Sequence, residues 1–215
     1  LYIYWKYLSN LHKMGIDAWW MDSTDPDQMD FKDYQLDQKC SMGTYRSVRN
    51  IFPFMCVNGV YDHQREAEKN MDPSKKKRPF ILTRSYFAGQ QRTGANTWSG
   101  DINSSWDSFR KQIPICLYYT ITANPQVNTD IGGFFAGSYN TQGRNSGVRN
   151  PQYQELYVRW MQFGAFCPMM RSHGTEVYRE LYYFGKQGEP VYDALVDAVK
   201  LRYKFLPYIY SQSWQ

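Results

Sequence analysis

Short apolar runs alternate with helical segments along the whole chain, and this alternation restricts the fold more than any other feature. Helical spacing of Tyr4, Tyr7, Leu8 and Leu11 predicts a helix over 1–14, closed by Gly15. Residues 16–22 read as a short, largely buried strand. It stops at the polar cluster Ser23-Thr24-Asp25-Pro26-Asp27, which is expected to be a loop. The stretch 30–46 carries weak, loop-like signals, and a helix is expected over 48–68 despite Pro53 and Gly59. Strands follow at 79–85 and 97–101, separated by a Gly- and Gln-rich loop. A helix over 104–122 takes Ser104 as its N-cap, with Asp107 three residues on. Then come a strand at 126–133, a polar loop at 134–151, a helix at 152–166 and a strand at 168–173. The last helix spans 189–211, with Pro190 in its first turn. Strands separated by helices argue for the α/β class, with parallel strands and crossover helices.

A chain of 215 residues can bury a real core. With 42% hydrophobic and 21% charged residues, disorder is excluded for most of it. The aromatic share is high, 18%, with 19 Tyr and 7 Trp. Aromatic walls suit carbohydrate, nucleobase or large apolar ligands, and the same composition also suits an aromatic-rich core. The net charge is +5, and the one basic run, Lys75, Lys76, Lys77 and Arg78, follows a Pro-Ser turn. It reads as a solvated loop rather than a nucleic-acid site. No apolar stretch reaches about 18 residues, so no membrane span is expected. Leu1 stands where a helical pattern is already running, so the chain reads as a piece of something longer. The compartment stays open: periplasmic or secreted for a longer parent, or cytoplasmic. Cys40, Cys56, Cys116 and Cys167 form no CxxC, and His12, His63 and His173 lack finger spacing. Neither a zinc site nor a disulfide framework is expected. Cys56, Cys116 and Cys167, set among apolar residues, read as buried free thiols.

Four strands end in conspicuous polar residues: Asp22, Asp101, Asp130 and His173. In a (β/α)8 barrel, loops at the C-terminal ends of the strands build the site, so such residues converge. Two converging carboxylates are what glycosidic cleavage requires. An Asp after a strand also serves as a helix cap or turn residue, and its position leaves both readings open.

The motifs around these residues are more specific. Asp17-Ala18-Trp19-Trp20-Met21-Asp22, followed by Pro26, resembles the nucleophile motif of glycoside hydrolase family 31. Trp98-Ser99-Gly100-Asp101, followed by Ser104-Ser105-Trp106, resembles its acid/base motif. Arg84-Ser85-Tyr86-Phe87-Ala88-Gly89-Gln90-Gln91-Arg92 looks like the strand and loop leading to that acid. Asp130-Ile131-Gly132-Gly133-Phe134 and Arg159-Trp160 through Arg171-Ser172-His173 match two further signatures. The five occur in family order and cover nearly the whole chain. The segment 17–27, with 46–50 and 60–65, looks most like the family's bacterial α-xylosidases. The chain departs from the family pattern at Asp25, where many members have Glu, and at Ser23-Thr24, where many have Met-Asn.

The resemblance implies the C-terminal part of a (β/α)8 TIM barrel, about five of its eight βα units. The earlier strands, an N-terminal β-sandwich and further β-sandwich are expected in the parent. It implies retaining hydrolysis of an α-glycoside, as an α-xylosidase acting on non-reducing-end α-xylosyl residues of oligosaccharides, with no metal or organic cofactor. Asp22 matches the nucleophile and Asp101 the general acid/base. Trp20 and Trp98 match pocket-wall aromatics, with core filling as the other reading. Arg92 matches a group near the sugar hydroxyls and the acid, or else a surface ion pair. Asp130 and His173 match groups that bind hydroxyls in the innermost subsite, although His173 also suits a satisfied core position. Phe134 matches a pocket residue or loop packing. The motifs do not separate an α-xylosidase from an α-glucosidase, transglycosylase or lyase, and an inactive sugar-binding or structural piece is the non-enzyme reading.

Overall fold

The computed structural model describes residues 2–25 and 32–214. Leu1 of the first expected helix, Pro26 and Asp27 of the expected loop, and Asp30 and Phe31 at the head of the loop-like stretch lie outside them. The chain divides into two compact units, Leu1–Thr97 and Trp98–Gln215.

The first unit contains α1 (Tyr2–Lys13), β1 (Ala18–Met21), α2 (Asp33–Leu36), β2 (Lys39–Cys40), β3 (Gly43–Thr44), α3 (Tyr45–Val48), α4 (Phe52–Ala67) and β4 (Phe80–Thr83). It also holds most of β5 (Asn96–Trp98), whose final residue begins the second unit. β1 pairs with β4 in parallel, Ala18 opposite Phe80 through Met21 opposite Thr83. β4 pairs with β5 in parallel, Leu82 opposite Asn96 and Thr83 opposite Thr97. The α/β reading with parallel strands therefore holds. The core gathers Trp5, Trp19, Met21, Val57, Val60 and Ile81. The indole of Trp19 donates to Gln64 Oε1 at 2.8 Å, and Gln64 donates to Glu68 Oε1 at 3.0 Å. Glu68 in turn accepts from the Lys77 amide at 2.8 Å, so the buried polar groups behind β1 are satisfied.

β1 is half-buried, not largely buried. Trp19 and Met21 point into the core while Ala18 and Trp20 are exposed, the period-two alternation of a strand with one covered face. Pro53 is accommodated in the first turn of α4, where its missing N–H has no intrahelical acceptor to lose. The stretch expected to be loop-like holds a helical turn and a small hairpin. One guanidinium ties them together: Arg46 donates to Asp33 Oδ1 at 2.8 Å and to Asp37 Oδ1 at 3.0 Å. The basic run is exposed, as read from the sequence.

The second unit contains α5 (Trp106–Ile121), β6 (Val127–Asn128), α6 (Pro151–Gly164) and α7 (Pro190–Trp214). α6 is the centre of its core: Tyr153, Leu156, Tyr157, Trp160 and Met161 are buried against Ile131, Phe184 and Leu195. Phe109 of α5 stacks on Trp160 at 4.9 Å, and Tyr157 stacks on Phe184 at 4.5 Å. The N-cap of α5 is Ser105, one residue later than expected, and its Oγ accepts from the Ser108 amide at 3.1 Å. The strand expected over 126–133 is short, because the chain turns at Asp130, whose carbonyl accepts from Gly133 N at 2.9 Å.

The strand expected over 168–173 does not form. The Arg171 carbonyl accepts one ladder-like bond, from Ile131 N at 3.1 Å. The carbonyls just before it are taken by Arg202 of α7, which donates to Ala165, Cys167 and Pro168 at 3.3, 2.5 and 2.6 Å. All four thiols are free. Cys167 is buried, but Cys56 and Cys116 are only partly buried, and Cys40 is exposed. Among the described residues, no helix is long and apolar enough to cross a membrane.

Candidate functional site

In the first unit, the register of β1 and β4 prepares the site. Their last paired residues are Met21 and Thr83, so the next residues, Asp22 and Arg84, leave the sheet side by side. Arg84 Nε lies 3.4 Å from Asp22 Oδ1 and donates to Asp25 Oδ1 at 3.2 Å. The arginine side chain is only 10% exposed, while that of Asp22 is 44% exposed. Asp22 Oδ1 also accepts from the Ser23 amide at 2.7 Å, so the carboxylate does turn-forming work as well. The loop is fixed from below by Thr24, which is buried, with its Oγ1 2.6 Å from Thr83 Oγ1 and 2.5 Å from Ser85 Oγ. Asp25, shorter than the Glu of many family members, still reaches Arg84.

Trp20 is 57% exposed, two residues before Asp22 on the open face of β1. Core filling falls to Trp19 instead. Arg92 sits on an exposed turn with Nη2 3.5 Å from Asp62 Oδ1 of α4, and its guanidinium lies 6.0 Å from the Phe54 ring centre. Within its unit it makes a surface ion pair.

In the second unit, Arg171 brings two of the other candidates together. This guanidinium donates to Asp130 Oδ1 at 2.9 Å and lies 5.1 Å from the centre of the Trp98 ring. Asp130 is fully buried, and a carboxylate there requires such a charged partner. Trp98 is buried too and packs as core. Phe134 and His173 meet ring to ring at 5.5 Å. Asp101 is exposed, directly after Gly100 at φ +83°. The loop behind it is pinned to the Asp130–Phe134 turn: Phe134 N donates to Ile102 O at 2.7 Å, and Ser104 N donates to Phe135 O at 2.9 Å. Gly133 permits this approach. At φ +74°, a Cβ there would stand 2.6 Å from Ser104 Cα. Arg179 completes the frame, donating to Ile131 O and Phe134 O at 2.9 and 3.2 Å.

Each unit thus presents an accessible carboxylate just beyond a strand of the parallel sheet, Asp22 after β1 and Asp101 after β5. The model of the glycosyl hydrolases family 31 TIM-barrel domain matches residues 2–212. The chain belongs to glycosyl hydrolase family 31. This family 31 chain is 37% identical over 215 residues to an α-xylosidase of Saccharolobus solfataricus, covering 99% of itself and 27% of that protein. It is 37% identical over 170 residues to human neutral α-glucosidase C, covering 78% of itself and 16% of that protein. Its fold matches the crystal structure of a family 31 α-xylosidase from Xanthomonas citri with a TM-score of 0.86 at 37% identity, over 98% of this chain and 22% of that one. The chain therefore spans about a quarter or less of the length of these relatives.

The sequence reading passed over Arg84 and Arg171, although both stand in family 31 motifs. The signal for Arg84 was its position: one residue past the strand segment that pairs with β1, it had to lie beside Asp22. The signal for Arg171 was the need of a buried Asp130 for a cation. Among the described residues, no three His, Cys, Asp or Glu side chains gather as a metal site.

Proposed function

We propose that this family 31 chain carries the catalytic carboxylates of a retaining α-glycoside hydrolase acting on non-reducing-end α-xylosyl residues of oligosaccharides. The observation that carries the reading is Asp22: an accessible carboxylate at a strand end, beside the Arg84 guanidinium and two residues from the exposed indole of Trp20. In this reading a carboxylate oxygen of Asp22 attacks the anomeric carbon while Asp101 gives its proton to the departing oxygen. The result is a glycosyl ester on Asp22. Asp101, now a base, takes a proton from water as the water oxygen attacks the same carbon and the ester bond breaks. Two displacements restore the α configuration. The Trp20 face suits the C–H face of a sugar. Asp130 with Arg171, His173 and Phe134 matches the groups for the innermost sugar, and Arg92 matches one near the sugar hydroxyls and the acid.

The α-xylosidase relatives, matched over nearly the whole chain, support xylosyl specificity. The human α-glucosidase match favours a second reading, a glucosyl substrate. The test uses the full-length protein with aryl α-xyloside and α-glucoside, following kcat/KM and the first-formed anomer by proton NMR. The expected outcome is α-xylose first and a preference for the xyloside of at least about 10-fold, the low end of what a close-fitting pocket achieves by excluding one extra small group, here the C5 hydroxymethyl of glucose. A β-anomer formed first overturns retention, and a preference for the glucoside replaces the xylosyl reading with the glucosyl one.

A further inference from the structure

Away from these residues, the second unit holds a mostly apolar cavity of about 280 Å³, lined by Ile113, Leu117, Phe163, Phe166 and two cysteines, Cys116 and Cys167. The cysteines come from different elements: Cys116 from α5, Cys167 from the turn three residues beyond α6. Both side chains line this one cavity and perturb each other's ionisation, both thiols are free, and Cys167 Sγ donates to Phe163 O at 3.9 Å. Two facing thiols in one cavity form a dithiol site that the proposed glycosidase chemistry does not use.

We propose that Cys116 and Cys167 are a redox modification site, closing to a reversible intramolecular disulfide when a two-electron thiol oxidant of the diazene class reaches the cavity. Cys116 acts first. It is the more accessible of the two, and the neighbouring Cys167 thiol holds its own thiol below the usual range. The Cys167 thiol is pushed up by its Cys116 neighbour and by burial, so it keeps its proton. The Cys116 thiolate adds to the N=N bond of the oxidant, and the other nitrogen takes a proton, giving a sulfenyl hydrazine. Cys167 sulfur then attacks Cys116 sulfur, losing its proton as the S–N bond breaks. The products are one disulfide and one hydrazine, with two electrons and two protons moved from the thiols to the oxidant.

Cys116 stands roughly 15 Å along α5 from its first residue, at 1.5 Å rise per residue. The Asp101 loop enters at that first residue, so the crosslink forms far from the proposed chemistry. It joins α5 to the segment leading into Arg171 and should act as a staple.

The experiment treats the full-length protein with diamide, alkylates the remaining thiols and maps peptides under non-reducing conditions. The expected result is a peptide pair joined through Cys116 and Cys167, lost on treatment with dithiothreitol, with a raised Tm in the oxidised form. Cys116→Ser should abolish the pair, and Cys40→Ser should leave it unchanged. The proposal is overturned if Cys116 and Cys167 remain alkylatable at diamide concentrations that oxidise Cys40, or if either links preferentially elsewhere. The wild-type map decides the matter without any variant, and it does not depend on the glycosidase reading.

Discussion

The Arg84 guanidinium lies within 3.4 Å of two carboxylates, Asp22 and Asp25, with little access to water. A cation placed so has been largely desolvated, and its two partners offset that cost. Its Nε–H, fixed in the guanidinium plane between the two carboxylates, also sets the direction from which Asp22 is held, which a lysine ammonium cannot copy. Arg84→Lys should therefore keep the local charge and lose the alignment. The expected outcome is a fall in kcat of about 10²-fold, the usual effect of a misplaced reacting group, with a far smaller change in Tm. Steady-state kinetics and thermal unfolding of the full-length protein check this together. Unaltered kcat would mean that Arg84 does not position Asp22.

α6 shows how an element supports the site without touching it. Its Tyr157 hydroxyl donates to Arg179 O at 2.9 Å and lies 2.8 Å from Ser172 Oγ, beneath the turn that carries Asp130. Burial pushes this hydroxyl up to about 12. The sign follows from the unfolded value near 10. Below pH 10 both states keep the proton and the full stability is present. Between about 10 and 12 the unfolded chain loses it and the folded one does not, so stability falls as pH rises, by up to about 1.4 kcal/mol per unit. Denaturant titrations across this window should show the decline, and Tyr157→Phe should lessen it, leaving the share of Tyr153, whose hydroxyl burial also pushes up. An unchanged slope in the variant would exclude Tyr157 as a source. The long helices α1, α4, α5, α6 and α7 and the first two parallel strands were legible in the sequence because their period and caps are local. The segment 168–173 was not, because its fate depends on Arg202, more than thirty residues away. The 33–48 region escaped because its organiser is the Arg46 bridge to Asp33 and Asp37, which leaves no periodic pattern in the sequence.

Across the molecule, the alternation of strands and helices identified the parallel α/β class, and motif order identified family 31, which the match over residues 2–212 supports independently. The strand-end carboxylates were legible because their motifs are contiguous. The arginines that serve them were legible only through sheet register and burial, which a linear reading does not display. The central claim is the division of labour between Asp22 and Asp101, and the anomer of an azide product reports it directly. With an α-glycosyl fluoride, whose leaving group needs no proton, the Asp101→Ala enzyme should still form the ester on Asp22. Added azide, needing no base, should then release the α-glycosyl azide. Asp22→Ala should form no ester, so azide attacks once and gives the β-azide. Product NMR on both variants of the full-length protein is predicted to show α for Asp101→Ala and β for Asp22→Ala. The reverse pattern, or hydrolysis by either variant within about 10²-fold of the unaltered enzyme, would contradict the assignment.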